Sequence, residues 1–312
     1  MEIKHLRVGL WTFATVTVLF WVVSLSTYQL LKTVVSHSQF RLAVTMNASR
    51  FAGQRVTLLV GDSRMMDGIN AAVLAGKGSN GVVFNAAFNG VEYPEALAEV
   101  EGFVDSCGCH LNKVIIDETA LWEESPGVSE TEVFLATFLD SAKNRVLVRD
   151  PMKGWFLRLF PAIHFNNEVT IRSLYYLMLG RDDQDHGNSY RFRVPKDHVL
   201  RIGTERKINQ IAVVDIKRLV GLVAKADGKL VVVIPPHHPA YTSGRVGFVE
   251  YVESVKRVVE EADALFQDHS RLFSDHPEYF ADLIHLHTDG QAAYSQYLAA
   301  HILQQESEAV KQ

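Results

Sequence analysis

Arg55-Val56-Thr57-Leu58-Leu59-Val60-Gly61-Asp62-Ser63 is the stretch on which the fold turns. Arg55 to Val60 is an almost unbroken apolar run that stops at a glycine and two polar residues. A short continuous run of this kind suits a strand covered on both faces, as in a parallel sheet, rather than the alternating pattern of a half-solvated strand. The signature recurs in Val82–Asn85 (VVFN), entered through Gly81, in Lys113–Asp117 (KVIID) and in Lys229–Ile234 (KLVVVI). Helical spacing fills the gaps. Ile208, Ala212, Ile216, Leu219 and Val223 form one stripe; Phe248, Val252, Val255, Val259 and Ala262 form another; a last helix is expected from about Thr288. Strands alternating with helices predict an α/β domain over 55–312, three-layer α/β/α with a mainly parallel central sheet. A long insertion at about 120–204 interrupts it. Its apolar segments, Trp155–Phe160 (WFLRLF) and Leu174–Leu179 (LYYLML), read as core helices of a subdomain; covering the active site, facing the membrane and facing a partner are the other readings.

Upstream of the domain the chain changes character. No charged residue falls between Val8 and Leu31, and Lys4, Arg7, Lys32 and Arg41 flank that stretch. At about 1.5 Å per residue it covers the roughly 30 Å hydrocarbon core of a bilayer. Trp11 and Tyr28 lie near its ends, where aromatic rings favour the interface. A cleaved signal peptide has a shorter apolar core and a small-residue cleavage site, and Tyr28-Gln29-Leu30-Leu31-Lys32 lacks one. Residues 1–32 are therefore expected to be an uncleaved membrane anchor, with 8–31 in the lipid bilayer and 33–54 a juxtamembrane stalk. The short basic N-terminus favours N-inside, which puts the C-terminal domain outside the cytoplasm, in the periplasm or at the cell surface.

Composition narrows the function. Of 312 residues, 47% are apolar and 21% charged, and the net charge is −5. A mildly acidic chain with no long basic run is a poor nucleic-acid binder. Cys107 and Cys109, the only cysteines, exclude a four-cysteine zinc site. One residue apart, they are expected to be small side chains near a turn rather than a bridge.

In an open α/β sheet, ligands bind beyond the carboxyl ends of the strands. Gly61, Asp62, Ser63 and Arg64 follow the first strand; Asn85, Asn89 and Gly90 the second; Asp117, Glu118 and Thr119 the third; His237 and His238 the fourth. Asp282-Leu283-Ile284-His285 leads into the last helix. A serine nucleophile needs a base, and the base an orienting carboxylate. Ser63, His285 and Asp282 supply these types, and residues three apart can share one side of a turn. Attack on an ester also needs donors for the oxyanion, for which the N–H groups of Ser63 and Gly90 are candidates. The plainer readings are a helix N-cap for Ser63, a turn former for Asn85 and a helix start for Arg64. His237, His238, His285 and His287 raise a metal site, but adjacent histidines point different ways and no HExxH motif occurs, so neither a metal nor a cofactor is expected.

Gly61-Asp62-Ser63 after an apolar strand resembles the first block of the SGNH/GDSL hydrolase superfamily. Asn85-Ala86-Ala87-Phe88-Asn89-Gly90 resembles its second block, and Asp282-Leu283-Ile284-His285 its last, the D-x-x-H motif. The resemblance covers about residues 55–305. It implies a Ser63 nucleophile, His285 as base and Asp282 as its orienting group, with Gly90, Asn85 and Asn89 at the oxyanion or substrate. The third block departs from the pattern: Asp117-Glu118-Thr119 stands where the family has an asparagine, so Thr119 is the stand-in donor. The first block reads GDSR, which puts Arg64 among the candidates for an anionic substrate group. Membrane-tethered members with a large insertion are similar to proteins that add or remove acyl groups on cell-envelope carbohydrate, some beside a multispanning membrane O-acyltransferase. The resemblance thus implies an esterase or O-acyltransferase. A non-catalytic anchored subunit with a decayed site is the competing expectation.

Overall fold

The computed structural model describes residues 2–36, 48–76, 81–88, 91, 93, 95–122, 146–147, 149–160, 175, 177–178, 208 and 210–303. Asn89, Gly90, residues 37–47 of the expected stalk and most of the expected insertion lie outside these residues. The elements in chain order are α1 (Glu2–Ser36), β1 (Arg55–Val60), α2 (Ser63–Gly68), α3 (Ala71–Gly76), β2 (Val82–Asn85), α4 (Glu95–Cys107), β3 (His110–Asp117), α5 (Pro151–Leu159), α6 (Gln210–Lys225), β4 (Lys229–Ile234), α7 (Pro239–Gly244), α8 (Phe248–Glu261), β5 (Leu265–Asp268) and α9 (Thr288–Leu298). The chain divides into two compact units, residues 1–43 with 126–181, and residues 44–125 with 182–312.

In the first unit, α1 contains a 21-residue stretch, Leu10–Leu30, long and apolar enough to cross a membrane. Its Thr17 and Thr33 hydroxyls donate to the Phe13 and Gln29 carbonyls one turn back, so these polar groups are satisfied within the helix. In α5, the Asp150 side chain accepts the Lys153 N–H and Pro151 occupies the first turn, where its missing donor costs nothing. Gly154 lets α5 approach residues 146–147 closely: a Cβ there meets Leu147 Cα at 2.4 Å. Phe160, just beyond α5, packs on Phe20 of α1 at 5.3 Å between ring centroids.

The second unit is an α/β fold on a five-stranded, all-parallel sheet in the order β2-β1-β3-β4-β5. The four strands read from the sequence are all present. β1 sits between β2 and β3, with Leu59 opposite Asn85 on one side and Ile115 on the other. Chain direction across the sheet therefore reverses at β1, and the crevice beyond its carboxyl end is the topological switch point. Leu58, Leu59, Ile115, Ile116, Val231, Val232 and Val233 are essentially inaccessible, as their continuous apolar runs require. Ala212, Ile216, Leu219 and Val223 form the buried stripe of α6; Ile208 lies ahead of that helix, in an antiparallel bridge to Trp122.

Two features depart from the sequence reading. β5 was not anticipated, because Leu-Phe-Gln-Asp is short, half polar and partly exposed, with no apolar run to mark it. Cys107 and Cys109, expected to be unpaired, form a disulfide. Gly108 between them takes φ +54°, a conformation open to glycine, and this folds the backbone back so that the Cα atoms stand 5.1 Å apart, within bridging range.

Candidate active site

The turn after β1 is built around Gly61. A Cβ at this position lands 2.5 Å from Asp117 Oδ2 and 2.8 Å from Met65 Cγ, so only glycine lets the end of β3 lie against the turn. Asp62 then caps α2: its Oδ1 accepts the Arg64 N–H at 2.9 Å. Asp117 Oδ2 accepts the Asp62 N–H at 3.0 Å. The N–H groups on either side of Ser63 are thus held by carboxylates, whereas that of Ser63 has no acceptor among the described residues. Ser63 begins α2, and its N-terminal position adds the favourable end of the helix backbone.

The other half comes from the loop before α9. Asp282 Oδ1 accepts the N–H groups of Ile284 and His285, both at 2.8 Å, which closes a tight turn. The Ala281 N–H donates to the His285 carbonyl at 2.8 Å, and the His238 N–H donates to Leu283 O at 2.9 Å, tying the turn to the segment after β4. Within this frame Asp282 Oδ2 stands 2.7 Å from His285 Nδ1, and His285 Nε2 stands 2.8 Å from Ser63 Oγ. Because the carboxylate can only accept, Nδ1 carries the ring proton and Nε2 accepts from the serine hydroxyl. Half-burial raises the Asp282 pKa, but the His285 ring and the Ile284 and His285 N–H groups outweigh it and hold this carboxyl below its ordinary value. Ser63 is thus brought from 222 positions away into one hydrogen-bonded chain of hydroxyl, imidazole and carboxylate with His285 and Asp282.

Three other candidates from the sequence are turned into the fold. The Asn85 amide donates to Met65 O at 3.1 Å and Ile69 O at 3.2 Å, and its Oδ1 accepts the Ala87 N–H at 3.1 Å. This is the turn-forming reading, not an oxyanion contact. Thr119 is fully buried, and its hydroxyl lies between Asp117 Oδ1 and Val91 O. Arg64 is 4% exposed. Its Nε lies 3.1 Å from both Asp62 oxygens, its Nη1 lies 2.6 Å from Glu118 Oε1, and its Nη2 lies 3.7 Å from Asp117 Oδ2. Trp122 covers the guanidinium face at 5.4 Å. Asp62, Asp117 and Glu118 thus hold an internal arginine.

Burial pushes the Asp117 and Glu118 carboxyls up, and the Asp62 charge adds to this, against the pull of Arg64. Burial alone lowers Arg64, but the three carboxylates reverse it and keep the guanidinium charged. His237 stacks on Tyr241 at 4.8 Å and brings Nε2 to 3.3 Å from Arg64 Nη1. Burial and the Arg64 and Arg245 charges hold its imidazole well below its usual pKa, so it is neutral. His238 and His287 are helix caps: their Nδ1 atoms accept the Ala240 and Asp289 N–H groups. Among the described residues no cluster of three or more His, Cys, Asp or Glu is arranged to hold a metal ion. The Arg64 cluster escaped the sequence reading, although an arginine placed directly after a buried strand and a capping aspartate signals a need for counter-ions.

No family model matches the chain, and no curated protein matches it.

Proposed function

We propose that this chain is a membrane-anchored serine esterase or O-acyltransferase of the SGNH type, with a three-layer α/β/α domain, acting on O-acyl (acetyl) esters of cell-envelope carbohydrate. The observation that carries the reading is the continuous Ser63 Oγ–His285 Nε2–His285 Nδ1–Asp282 Oδ2 chain, with contacts of 2.8 and 2.7 Å, at the switch point of a parallel sheet.

Ser63 Oγ attacks the acyl carbonyl carbon while its proton passes to His285 Nε2. The carbonyl electron pair moves onto oxygen, where the Ser63 N–H stabilises it. The bond to the sugar oxygen then breaks, His285 returns the proton to that oxygen, and an acyl-Ser63 remains. In the second half, water or another sugar hydroxyl gives its proton to His285 and bonds to the acyl carbon, the bond to Ser63 Oγ breaks, and His285 passes the proton to Oγ, which restores Ser63. Asp282 keeps the ring in the required tautomer throughout and balances its transient positive charge. Neither half-reaction calls for a metal or cofactor.

The Cys107–Cys109 disulfide favours the outer side of the membrane for the domain that the apolar stretch of α1 anchors, since disulfides persist in oxidising compartments. A multispanning O-acyltransferase is the partner class that such a placement fits. The intact three-residue chain argues against a decayed, non-catalytic subunit. The test is covalent labelling of the full chain by a fluorophosphonate. Labelling that disappears in both Ser63→Ala and His285→Ala supports the reading, and a well-folded wild type that takes no label overturns it.

A further inference from the structure

We propose that Arg64 is a positioning residue that, with Asp62 and Asp117, aims the Ser63 N–H and hydroxyl at the reacting carbonyl. This rests on the serine-hydrolase reading above. The Asp62 N–H goes to Asp117 Oδ2 at 3.0 Å, and the Arg64 N–H goes to Asp62 Oδ1 at 2.9 Å. The donor between them is left for an incoming oxyanion. Both acceptors are carboxyl groups, and Asp117, 0% exposed, needs a cation beside it to carry charge at this depth.

Arg64 supplies that cation from within the same turn. Its Nε reaches the Asp62 carboxylate at 3.1 Å, and its Nη2 approaches Asp117 at 3.7 Å. Glu118, at 2.6 Å from Nη1, fixes the far end of the guanidinium, and the Trp122 ring covers its face. The side chain after the nucleophile therefore fastens the turn containing the nucleophile to the end of β3. Gly61 is the complement of this arrangement, since any Cβ there displaces the Asp117 carboxylate. A lysine in place of Arg64 keeps the charge but offers no planar fork to hold Asp62 and Glu118 together. The turn is thus locked from beneath, through charges that touch neither substrate nor His285.

Two readouts on the full chain test this. One is the phosphonylation rate of Ser63, separated into its saturating rate and its half-saturation concentration. The other is backbone hydrogen exchange of the 61–66 segment, which does not depend on activity. For Arg64→Met, the saturating rate is expected to fall about a hundredfold with little change in half-saturation, as misplacement of a reacting group produces. Exchange in 61–66 is expected to rise about tenfold while the β4 amides stay protected. Arg64→Lys should recover part of both. If Arg64→Met does not fold, the charge-balanced Arg64→Met/Glu118→Gln variant takes its place. A folded variant with wild-type phosphonylation and unchanged exchange in 61–66 overturns the proposal. If the wild type takes no label at all, the hydrolase reading fails by itself, and the exchange measurement still decides whether Arg64 locks the turn.

Discussion

Asp282 grips His285 twice: Oδ1 accepts its backbone N–H at 2.8 Å, and Oδ2 faces its ring Nδ1 at 2.7 Å. One carboxylate therefore fixes both where the histidine sits and which way its ring turns. Asp282→Asn keeps a backbone acceptor through its amide oxygen, but it presents either an N–H₂ group or a neutral oxygen to Nδ1. The imidazolium then loses its counter-charge. Ester turnover is expected to drop roughly a thousandfold with little change in KM. Asp282→Ala also releases the turn, so it should lose stability in addition to rate. Turnover of an aryl acetate alongside urea midpoints separates the two; equal stability in both variants would show that the backbone grip is idle.

Gly61→Ala is a packing test of the same crevice. The added methyl carbon falls 2.5 Å from Asp117 Oδ2 and 2.8 Å from Met65 Cγ, in a region with no exposed side to give way. Either β3 or α2 must shift. The expected cost is about 2–3 kcal/mol, in the range of overpacked cores. Because the shift moves Asp117 away from the Asp62 N–H, Ser63 labelling should fall as well. An unchanged urea midpoint would mean that the turn relaxes at no cost, contrary to this prediction.

What was legible in the sequence follows the physics of each element. Arg55–Val60 and Lys229–Ile234 were readable because strands buried on both faces leave a continuous apolar run. Leu265–Asp268 was not, because an edge strand with partly exposed positions needs no such run. Ser63 could be nominated from its residue type and strand-end position, and Asp282 and His285 from their types and their place ahead of the last helix, all of them local facts. The Asp282–His285 pairing follows from a three-residue spacing, but the approach of Ser63 to His285 is a property of the folded domain that no spacing along the chain encodes. The partners of Arg64 were out of reach for the same reason: Glu118 is 54 positions away, and the pair exists only because β1 and β3 are neighbours. The Cys107–Cys109 bridge was missed through the backbone, since the sequence shows Gly108 but not that its φ is positive.

Stability should weaken as the medium is acidified, and two buried histidines contribute to it. Burial is the main cause that lowers His269 from 6.5 to about 4, with the nearby Asp268 opposing and His301 adding. His269 is held neutral between the Tyr294 hydroxyl at 2.9 Å and Gln267 Oε1 at 3.0 Å. Between these two values the unfolded chain takes up a proton that the folded chain refuses. Stability is therefore fully present above about pH 6.5 and declines as pH falls toward 4. At about 1.4 kcal/mol per unit, His269 contributes a loss on the order of 3 kcal/mol across that window. His237, also lowered, adds in the same direction. In urea midpoints measured at about pH 7 and about pH 5, His269→Gln should start lower and change less. Parallel declines in the variant and the wild type would remove His269 from the account.

Asn85 separates a structural amide from an oxyanion donor. It is 2% exposed, with both amide protons on the Met65 and Ile69 carbonyls and its oxygen on the Ala87 N–H. An amide committed in this way has nothing left for a substrate. Asn85→Ala strands three backbone groups in the interior and should cost on the order of 3 kcal/mol. Asn85→Asp is nearly the same shape, yet it sets a carboxylate oxygen against two carbonyl oxygens and buries a charge there. It should be at least as destabilising as the alanine variant. Urea midpoints for the two, with phosphonylation measured where both remain folded, decide the matter. A substrate contact predicts the reverse, with native stability in each variant and a selective loss of rate.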